Sequence, residues 1–237
     1  MRPAPPIAMI LAAGRGERMR PLTDSCPKPL LEAGGKPLIE HPIARLRQAG
    51  VSRLVINHAH LGHLIEARLG DGERYGVRIR YSPENPALET AGGLRHALPL
   101  LGSAPFLVCN GDVYCELDPA ALVQAAAQLP AHCLAHLVLV PNPEHHPLGD
   151  FALDPADGLH LRADDTSLPR FTYAGLGVFR PELFADLPDG QAAPLGPLLR
   201  SAMASGRVTG SLYTGYWLDV GTPQRLAQLD AHLRAQA

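Results

Sequence analysis

Cysteine is scarce in this 237-residue sequence, and none of the four, Cys26, Cys109, Cys115 and Cys133, belongs to a Cys-x-x-Cys pair. So sparse a set in a chain of this size reads as reduced, partly buried thiols, which excludes a disulfide scaffold and points to the cytoplasm. Charge is nearly balanced as well. With 21 basic and 23 acidic residues the formal net charge is −2, which offers no basic field for a nucleic-acid polymer or an anionic lipid surface. The N-terminal apolar stretch, Ile7 to Ala13, is too short to span a bilayer. It follows Pro3, Pro5 and Pro6 and runs into a glycine loop instead of a cleavage site, so neither a membrane span nor an export signal is expected.

Several familiar motifs are missing too. A dinucleotide fingerprint requires a third glycine where Met19 stands, and an acid at the end of the second strand, which instead finishes near Asn57. A P-loop requires Gly-Lys-Ser/Thr, but Gly35-Lys36 is followed by Pro37. No Gly-x-Ser-x-Gly elbow gives a hydrolase its nucleophile. His145-His146 and His58-x-His60 lack a nearby cysteine or a full ligand set, so they read as substrate-loop or surface histidines rather than a zinc site.

What is present is ordinary soluble composition, 46% hydrophobic and 19% charged, in a chain long enough for one large α/β domain. Ile7 to Ala13 reads as a buried parallel strand. The loop that leaves it, Gly14-Arg15-Gly16-Glu17-Arg18-Met19-Arg20-Pro21-Leu22-Thr23, closes on Pro27-Lys28-Pro29. Glycines there let backbone N–H groups approach a ligand, while Arg18 adds a planar fork and Lys28 a mobile point charge, a combination suited to polyphosphate.

Further along, Lys36-Pro37 is expected to open a helix with Ile39, Ile43 and Leu46 on one face and Pro42 as a candidate kink, ended by Gly50. A strand over Arg53 to Asn57, a helix over Leu61 to Leu69 and a strand over Val77 to Tyr81 follow. Glu89 to Gly93 then opens another helix, with Leu94, Leu98 and Leu101 as its stripe and Thr90 as N-cap. This alternation implies right-handed crossovers and a doubly wound, mostly parallel sheet. Phe106 to Cys109 is a wholly apolar strand that delivers Asn110-Gly111-Asp112 to its carboxyl end, where open α/β sheets bind ligands. Tyr216-Trp217-Leu218 delivers a second acid, Asp219, before Thr222 caps and Pro223 begins a last helix with Leu226, Leu229 and Leu233 on one face.

The ordered stretch Leu11-Ala12-Ala13-Gly14-x-Gly16-x-Arg18-Met19-x-Pro21-Leu22-Thr23, followed by Pro27-Lys28-Pro29, closely resembles the signature of the sugar-1-phosphate nucleotidyltransferase family. Five further stretches carry the same resemblance: Val55 to His58, Ile79 to Glu84, Glu89 to Gly93, Asn110 to Val113, and Asn142 to His146 leading to Gly149-Asp150-Phe151. It covers nearly the whole chain. The resemblance implies the Rossmann-like nucleotide-diphospho-sugar transferase fold as a single domain. Its nucleotide-binding part would span about 1–116 and a smaller sugar-side β lobe about 117–215, with the second metal acid and last helix in 216–237.

By the same resemblance, Leu11, Ala13, Gly14, Gly16, Glu17, Arg18, Lys28 and Gly93 would bind the nucleotide, although Gly93 also fits a packing glycine at a helix start. Arg18, Lys28 and Asp112 would be catalytic, Asn110, Asp150 and Gly175 would contact the sugar substrate, and Asp112 with Asp219 would hold magnesium (Mg2+). The likeness is greatest to members that join UTP to N-acetylmuramic acid α-1-phosphate in peptidoglycan recycling. Transfer to glucose, mannose or N-acetylglucosamine 1-phosphate from UTP, dTTP or GTP, and a non-catalytic nucleotide-sugar sensor, stay open as alternatives. No hexapeptide repeat follows Asp219, so a monofunctional enzyme is expected, and the short run after Leu226 favours a monomer.

Overall fold

Glycine and proline punctuation cuts the first half of the chain into short units. In a computed structural model, which describes residues 5–154, 160–163 and 167–236, these are β1 (Ala8–Leu11), β2 (Glu32–Ala33), β3 (Lys36–Pro37), α1 (Glu40–Gln48), β4 (Arg53–His58), α2 (Gly62–Leu69), β5 (Arg78–Pro83), α3 (Glu89–Leu101), β6 (Phe106–Asn110) and β7 (Val113–Cys115). The second half runs through α4 (Pro119–Gln128), β8 (Ala135–Val140), β9 (Phe151–Leu153), β10 (Leu161–Arg162), β11 (Arg170–Phe179), α5 (Leu195–Ala204), β12 (Val208–Leu212), β13 (Trp217–Asp219) and α6 (Pro223–Arg234).

Four strands of the first half pair in parallel, in the order β5-β4-β1-β6. Ala8 sits opposite both Leu54 and Leu107, and Leu54 opposite Ile79. Strands buried on both faces need helices on both sides, and the core divides accordingly. One layer packs Ile43, Leu46, Ile65, Leu69 and Leu122 from α1, α2 and α4 against the sheet, and the other packs Leu94, Ala97, Leu101, Leu199 and Met203 from α3 and α5. The sheet then changes sense: β11 is antiparallel to β6, with Val178 opposite Leu107, and pairs in turn with β8 and β9. The segment expected to form a smaller separate lobe, 117–215, thus continues the nine-stranded central sheet through β11. Among the described residues no helix is long and apolar enough to cross a membrane.

Three local expectations are corrected. Lys36-Pro37 is not the start of a helix; it pairs with Glu32-Ala33 in a small ribbon turned by Gly34 and Gly35 at φ 61° and 77°, and α1 begins at Glu40. Pro42 consequently falls in the first turn, where its missing N–H costs nothing and no kink is needed. Thr90 does not cap α3, whose N-cap is Leu88. The carboxylate of Glu84 accepts the Leu88 N–H at 2.8 Å, and the carbonyl of Ala193 takes the N–H groups of Ala91 and Gly92 at 2.9 and 3.2 Å. A preceding carboxylate and a carbonyl about a hundred residues on therefore do the work expected of a local hydroxyl. At α6, by contrast, Thr222 Oγ1 accepts the Arg225 N–H at 3.3 Å and Pro223 is the first helical residue, as the Thr-Pro pair implies.

β13 is not part of the central sheet. It forms a two-stranded ribbon with β7, with Asp219 opposite Val113 and Trp217 opposite Cys115. A third apolar cluster, including Met19, Leu31, Tyr114, Leu218, Val220 and Leu229, ties the glycine loop, this ribbon and α6 together. That cluster carries both ends of the chain to the same edge of the sheet.

Candidate active site

A buried polar strut fixes where the chain leaves β1. The Ala12 N–H donates to Asn57 Oδ1 at 2.8 Å, the other end of that amide donates to Glu84 Oε1 at 2.7 Å, and Glu84 Oε2 takes the Leu88 N–H. Asn57 is 3% exposed and Glu84 6%, so these bonds are made away from water, and the buried carboxylate is satisfied by two donors. Gly93 lies against this strut: a Cβ there would stand 2.4 Å from Glu84 Oε1 and 3.0 Å from Asn57 Nδ2.

Beyond Ala12 the loop separates open from packed glycines. Nothing lies within 4 Å of where a Gly14 Cβ would be, so its backbone faces open space. Gly16, at φ +69°, is packed, with Thr23 Cγ2 at 3.0 Å and Lys28 Cβ at 3.1 Å from the same construction, and the Thr23 hydroxyl donates to the Gly16 carbonyl at 2.8 Å. Met19, fully buried, anchors the loop, while Glu17 and Arg18 are exposed. The short turn Lys28–Leu30 brings Lys28 back, 8% exposed, with Nζ 2.5 Å from Asp112 Oδ2.

Asp112 follows β6, and the Val220 N–H donates to its carbonyl at 2.8 Å, so the ribbon holds Asp219 to the same end of the sheet. The Asp219 carboxylate accepts from Arg225 and lies 3.0 Å from His145 Nε2. Arg18 reaches the same corner, its Nη2 packed over Gly221. Among the described residues no three His, Cys, Asp or Glu side chains form a ready-made metal cage. Two carboxylates, one in the turn between β6 and β7 and one at the end of β13, each matched to a side-chain cation, fit a divalent ion whose remaining ligands come from phosphate and water.

The open space is a cleft of about 370 Å³ bordered by Leu11, Ala13, Gly14, Lys28, Asn110 and Asp112, all expected from the sequence to contact substrates. Gly16, Glu17, Arg18 and Gly93 do not border it: Gly16 and Gly93 shape the wall from behind, and Arg18 stands to one side. Glu89, Thr90 and Asn110 also border a second compartment of about 460 Å³, closed by Asp150, Tyr173 and the first turn of α5. Asp150 accepts the Tyr173 N–H at 2.8 Å and sits 3.1 Å from His146 Nε2. Gly175, at φ +74°, leaves room for Asn110, whose Nδ2 is 2.6 Å from a Cβ built there. Sequence reasoning gave no separate role to Glu84, seen only as the last residue of the Ile79 to Glu84 stretch, or to Arg225, which lies on the polar face of its helix.

Reactive thiols play no part in this geometry. Burial pushes Cys109 up to about 12 and Cys115 up to about 11, so both are neutral thiols. The Tyr173 hydroxyl is pushed up by burial as well.

Residues 7–236 match the nucleotidyl transferase family. A protein of Neisseria meningitidis serogroup B described as N-acetylmuramate alpha-1-phosphate uridylyltransferase is 55% identical over 226 residues, covering 94% of this chain and 96% of the relative. One of the same description from Caulobacter vibrioides is 42% identical over 241 residues, covering 98% and 99%. Among solved structures, one from Bacillus anthracis assigned as a glucose-1-phosphate thymidylyltransferase, in complex with sucrose, superposes with a TM-score of 0.84 at 22% identity, covering 96% of this chain and 95% of that one, a likeness of fold.

Proposed function

The chain belongs to the nucleotidyl transferase family, and from that premise we propose that it transfers the uridylyl group of UTP to N-acetylmuramic acid α-1-phosphate, releasing pyrophosphate and forming UDP-N-acetylmuramic acid. The observation that carries this reading is the convergence of Lys28 and Asp112 on a cleft walled by open backbone at Ala13 and Gly14. The 55% identity to the Neisseria uridylyltransferase supports the choice of nucleotide and sugar. We place the reaction in the cytoplasm, in peptidoglycan recycling, and take the working unit to be the monomer.

In this reading the nucleotide lies in the first compartment, its phosphates over Gly14 and Lys28, and the sugar lies in the second against Asn110, Asp150 and Tyr173. An oxygen of the sugar phosphate attacks the α-phosphorus of UTP in line, the new P–O bond forms as the bond to the β-phosphate oxygen breaks, and pyrophosphate departs with the electron pair. The attacker is already an anion, so no general base is needed. Positioning and charge neutralisation then supply most of the acceleration. Lys28 neutralises charge at the α-phosphate and is itself oriented by Asp112. Arg18 takes charge on the departing pyrophosphate. Asp112 and Asp219 would hold magnesium, which when bound supplies further neutralisation of the phosphate oxygens. The Asn57–Glu84 strut keeps the Ala12 backbone, and with it the start of the loop, in one position before substrate arrives.

The test is direct: the purified chain is incubated with UTP, magnesium and N-acetylmuramic acid 1-phosphate, and pyrophosphate release is followed while the product is identified by mass. Stoichiometric pyrophosphate and UDP-N-acetylmuramic acid are expected. No product from any sugar 1-phosphate with UTP, dTTP or GTP would leave the non-catalytic sensor as the better reading.

A further inference from the structure

We propose that Arg225 is a further substrate-positioning residue, paired with Arg18 in a two-guanidinium clamp for the pyrophosphate that leaves in the reaction. The proposal rests on the uridylyl-transfer reading above and adds to it a residue from the last helix. Arg225 is the third residue of α6, and its backbone is fixed by the Thr222 cap at 3.3 Å. Its side chain is only 12% exposed. Nη1 donates to the Asp219 carboxylate and lies 2.7 Å from His145 Nε2.

The other end of the guanidinium carries the inference. A Cβ on Gly221 would stand 2.6 Å from Arg225 Nη2 and 3.0 Å from Arg18 Nη2, so both forks reach the same point over a residue with no side chain. One fork comes from the glycine loop and the other from α6, more than two hundred residues later in the chain. Two guanidinium groups this close repel one another, and Asp219, which accepts from Arg225, offsets only one of the two charges. Among the described residues Arg18 has no ion-pair partner at all. The corner therefore holds a surplus of positive charge in planar donors, the geometry that matches phosphate oxygens bidentately. Pyrophosphate, with two adjacent phosphate groups, offers one to each fork. A side chain at Gly221 would push the two fork ends away from this point.

The experiment measures binding of inorganic pyrophosphate to the intact protein by calorimetry, with a chelator present and no divalent cation. Arg225→Gln and Arg18→Gln should each weaken binding roughly tenfold to a hundredfold, the loss expected for a charge-assisted contact. Arg225→Lys should retain part of the affinity, and Gly221→Ala should weaken binding without removing a charge. Asp219→Asn, which frees Arg225 from its carboxylate, should bind pyrophosphate at least as tightly as the unmodified protein. Were Arg225 merely a support for Asp219, Arg225→Gln and Asp219→Asn would shift binding alike. That outcome overturns the clamp, as does an Arg225→Gln protein within about twofold of the unmodified affinity, or an unmodified protein that binds no pyrophosphate. Uridylyl transfer is measured in parallel. Unaltered turnover in Arg225→Gln with unaltered pyrophosphate affinity removes the clamp and leaves the reaction standing, whereas pyrophosphate binding that depends on both arginines in a protein with no transferase activity removes the reaction and leaves the clamp.

Discussion

Lys28 and Asp112, 84 positions apart in the chain, meet with Nζ 2.5 Å from Oδ2 at the mouth of the cleft. The lysine is buried along its stem and the aspartate faces open space, so the pair presents one cation and one carboxylate to the same cleft. Lys28→Ala should lower turnover by roughly 10²-fold or more, because it removes charge stabilisation inside a walled site. Asp112→Asn and Asp219→Asn should each nearly abolish turnover at saturating magnesium while leaving the fold intact. Steady-state pyrophosphate release checks all three. A Lys28→Ala enzyme that changes only the Michaelis constant for UTP would count against its role in the transition state.

Gly93→Ala tests whether the Asn57–Glu84 strut organises the loop. The added methyl would stand 2.4 Å from Glu84 Oε1, closer than packing allows, and must displace the carboxylate or the Asn57 amide. Either movement leaves a buried donor or acceptor unpaired. A loss of about 1–3 kcal/mol in stability is expected. Because the same amide holds the Ala12 N–H, the Michaelis constant for UTP should rise together with the fall in the urea midpoint. An enzyme with unaltered stability and unaltered UTP kinetics would mean that the strut yields freely.

Stability should fall as the solution is acidified below about pH 6.5. Burial holds both His41 and His136 below the ordinary histidine range, so the unfolded chain takes up their protons at a pH where the folded chain does not. With the lower value in the folded state, stability rises with pH through the interval between the two values and is level above it. His136 packs its ring nitrogens 3.0 Å from Thr209 Oγ1 and 3.2 Å from Ser211 Oγ, between β8 and β12 and away from the cleft. His136→Asn should therefore flatten part of the slope seen in urea midpoints from about pH 5 to about pH 8, whatever it does to stability at the top of that range. An unchanged slope would remove His136 from the account.

The parallel half of the sheet is legible because each of its central strands is a short apolar run bounded by glycine, proline or polar turns, and burial on both faces leaves no other use for such runs. Lys36-Pro37 misleads for a physical reason. Proline suits the start of a helix and the edge of a ribbon equally, and what decides is Gly34-Gly35, whose positive φ values turn the chain back on itself. Glu84 is invisible as a structural acid because its value lies in burial between β4, β5 and α3, which no local pattern reports. Arg225 is hidden differently: helical periodicity assigns it to the solvent side of α6, and only the turn from β13 through the Thr222 cap brings that side back to Asp219. The position of Asp112 is legible by itself: it follows an apolar strand, at the end of the sheet where the cleft opens.

The choice of sugar is the most demanding expectation, since the nucleotide loop says little about it. N-acetylmuramic acid 1-phosphate carries a lactyl carboxylate that glucose and N-acetylglucosamine 1-phosphates lack, and the site must give that group both room and hydrogen-bond donors. Room exists in the second compartment, about 460 Å³ beside Asn110 and Asp150. Of the two adjacent histidines on the loop before β9, His145 is turned to Asp219, but His146 is held 3.1 Å from Asp150, a wall residue of that compartment. His146 is thus the side chain better placed to answer a carboxylate there. A donor left unpaired by a sugar lacking the lactyl group costs about 1–3 kcal/mol, so kcat/KM for N-acetylmuramic acid 1-phosphate should exceed that for N-acetylglucosamine 1-phosphate by roughly ten-fold to two-hundred-fold. His146→Ala should reduce that ratio more than His145→Ala, whose main effect should fall on turnover with every sugar. Both ratios come from initial rates at limiting sugar phosphate. Equal efficiency with glucose 1-phosphate would defeat the sugar assignment, and a ratio untouched by His146→Ala would move the recognition of the lactyl group to other donors.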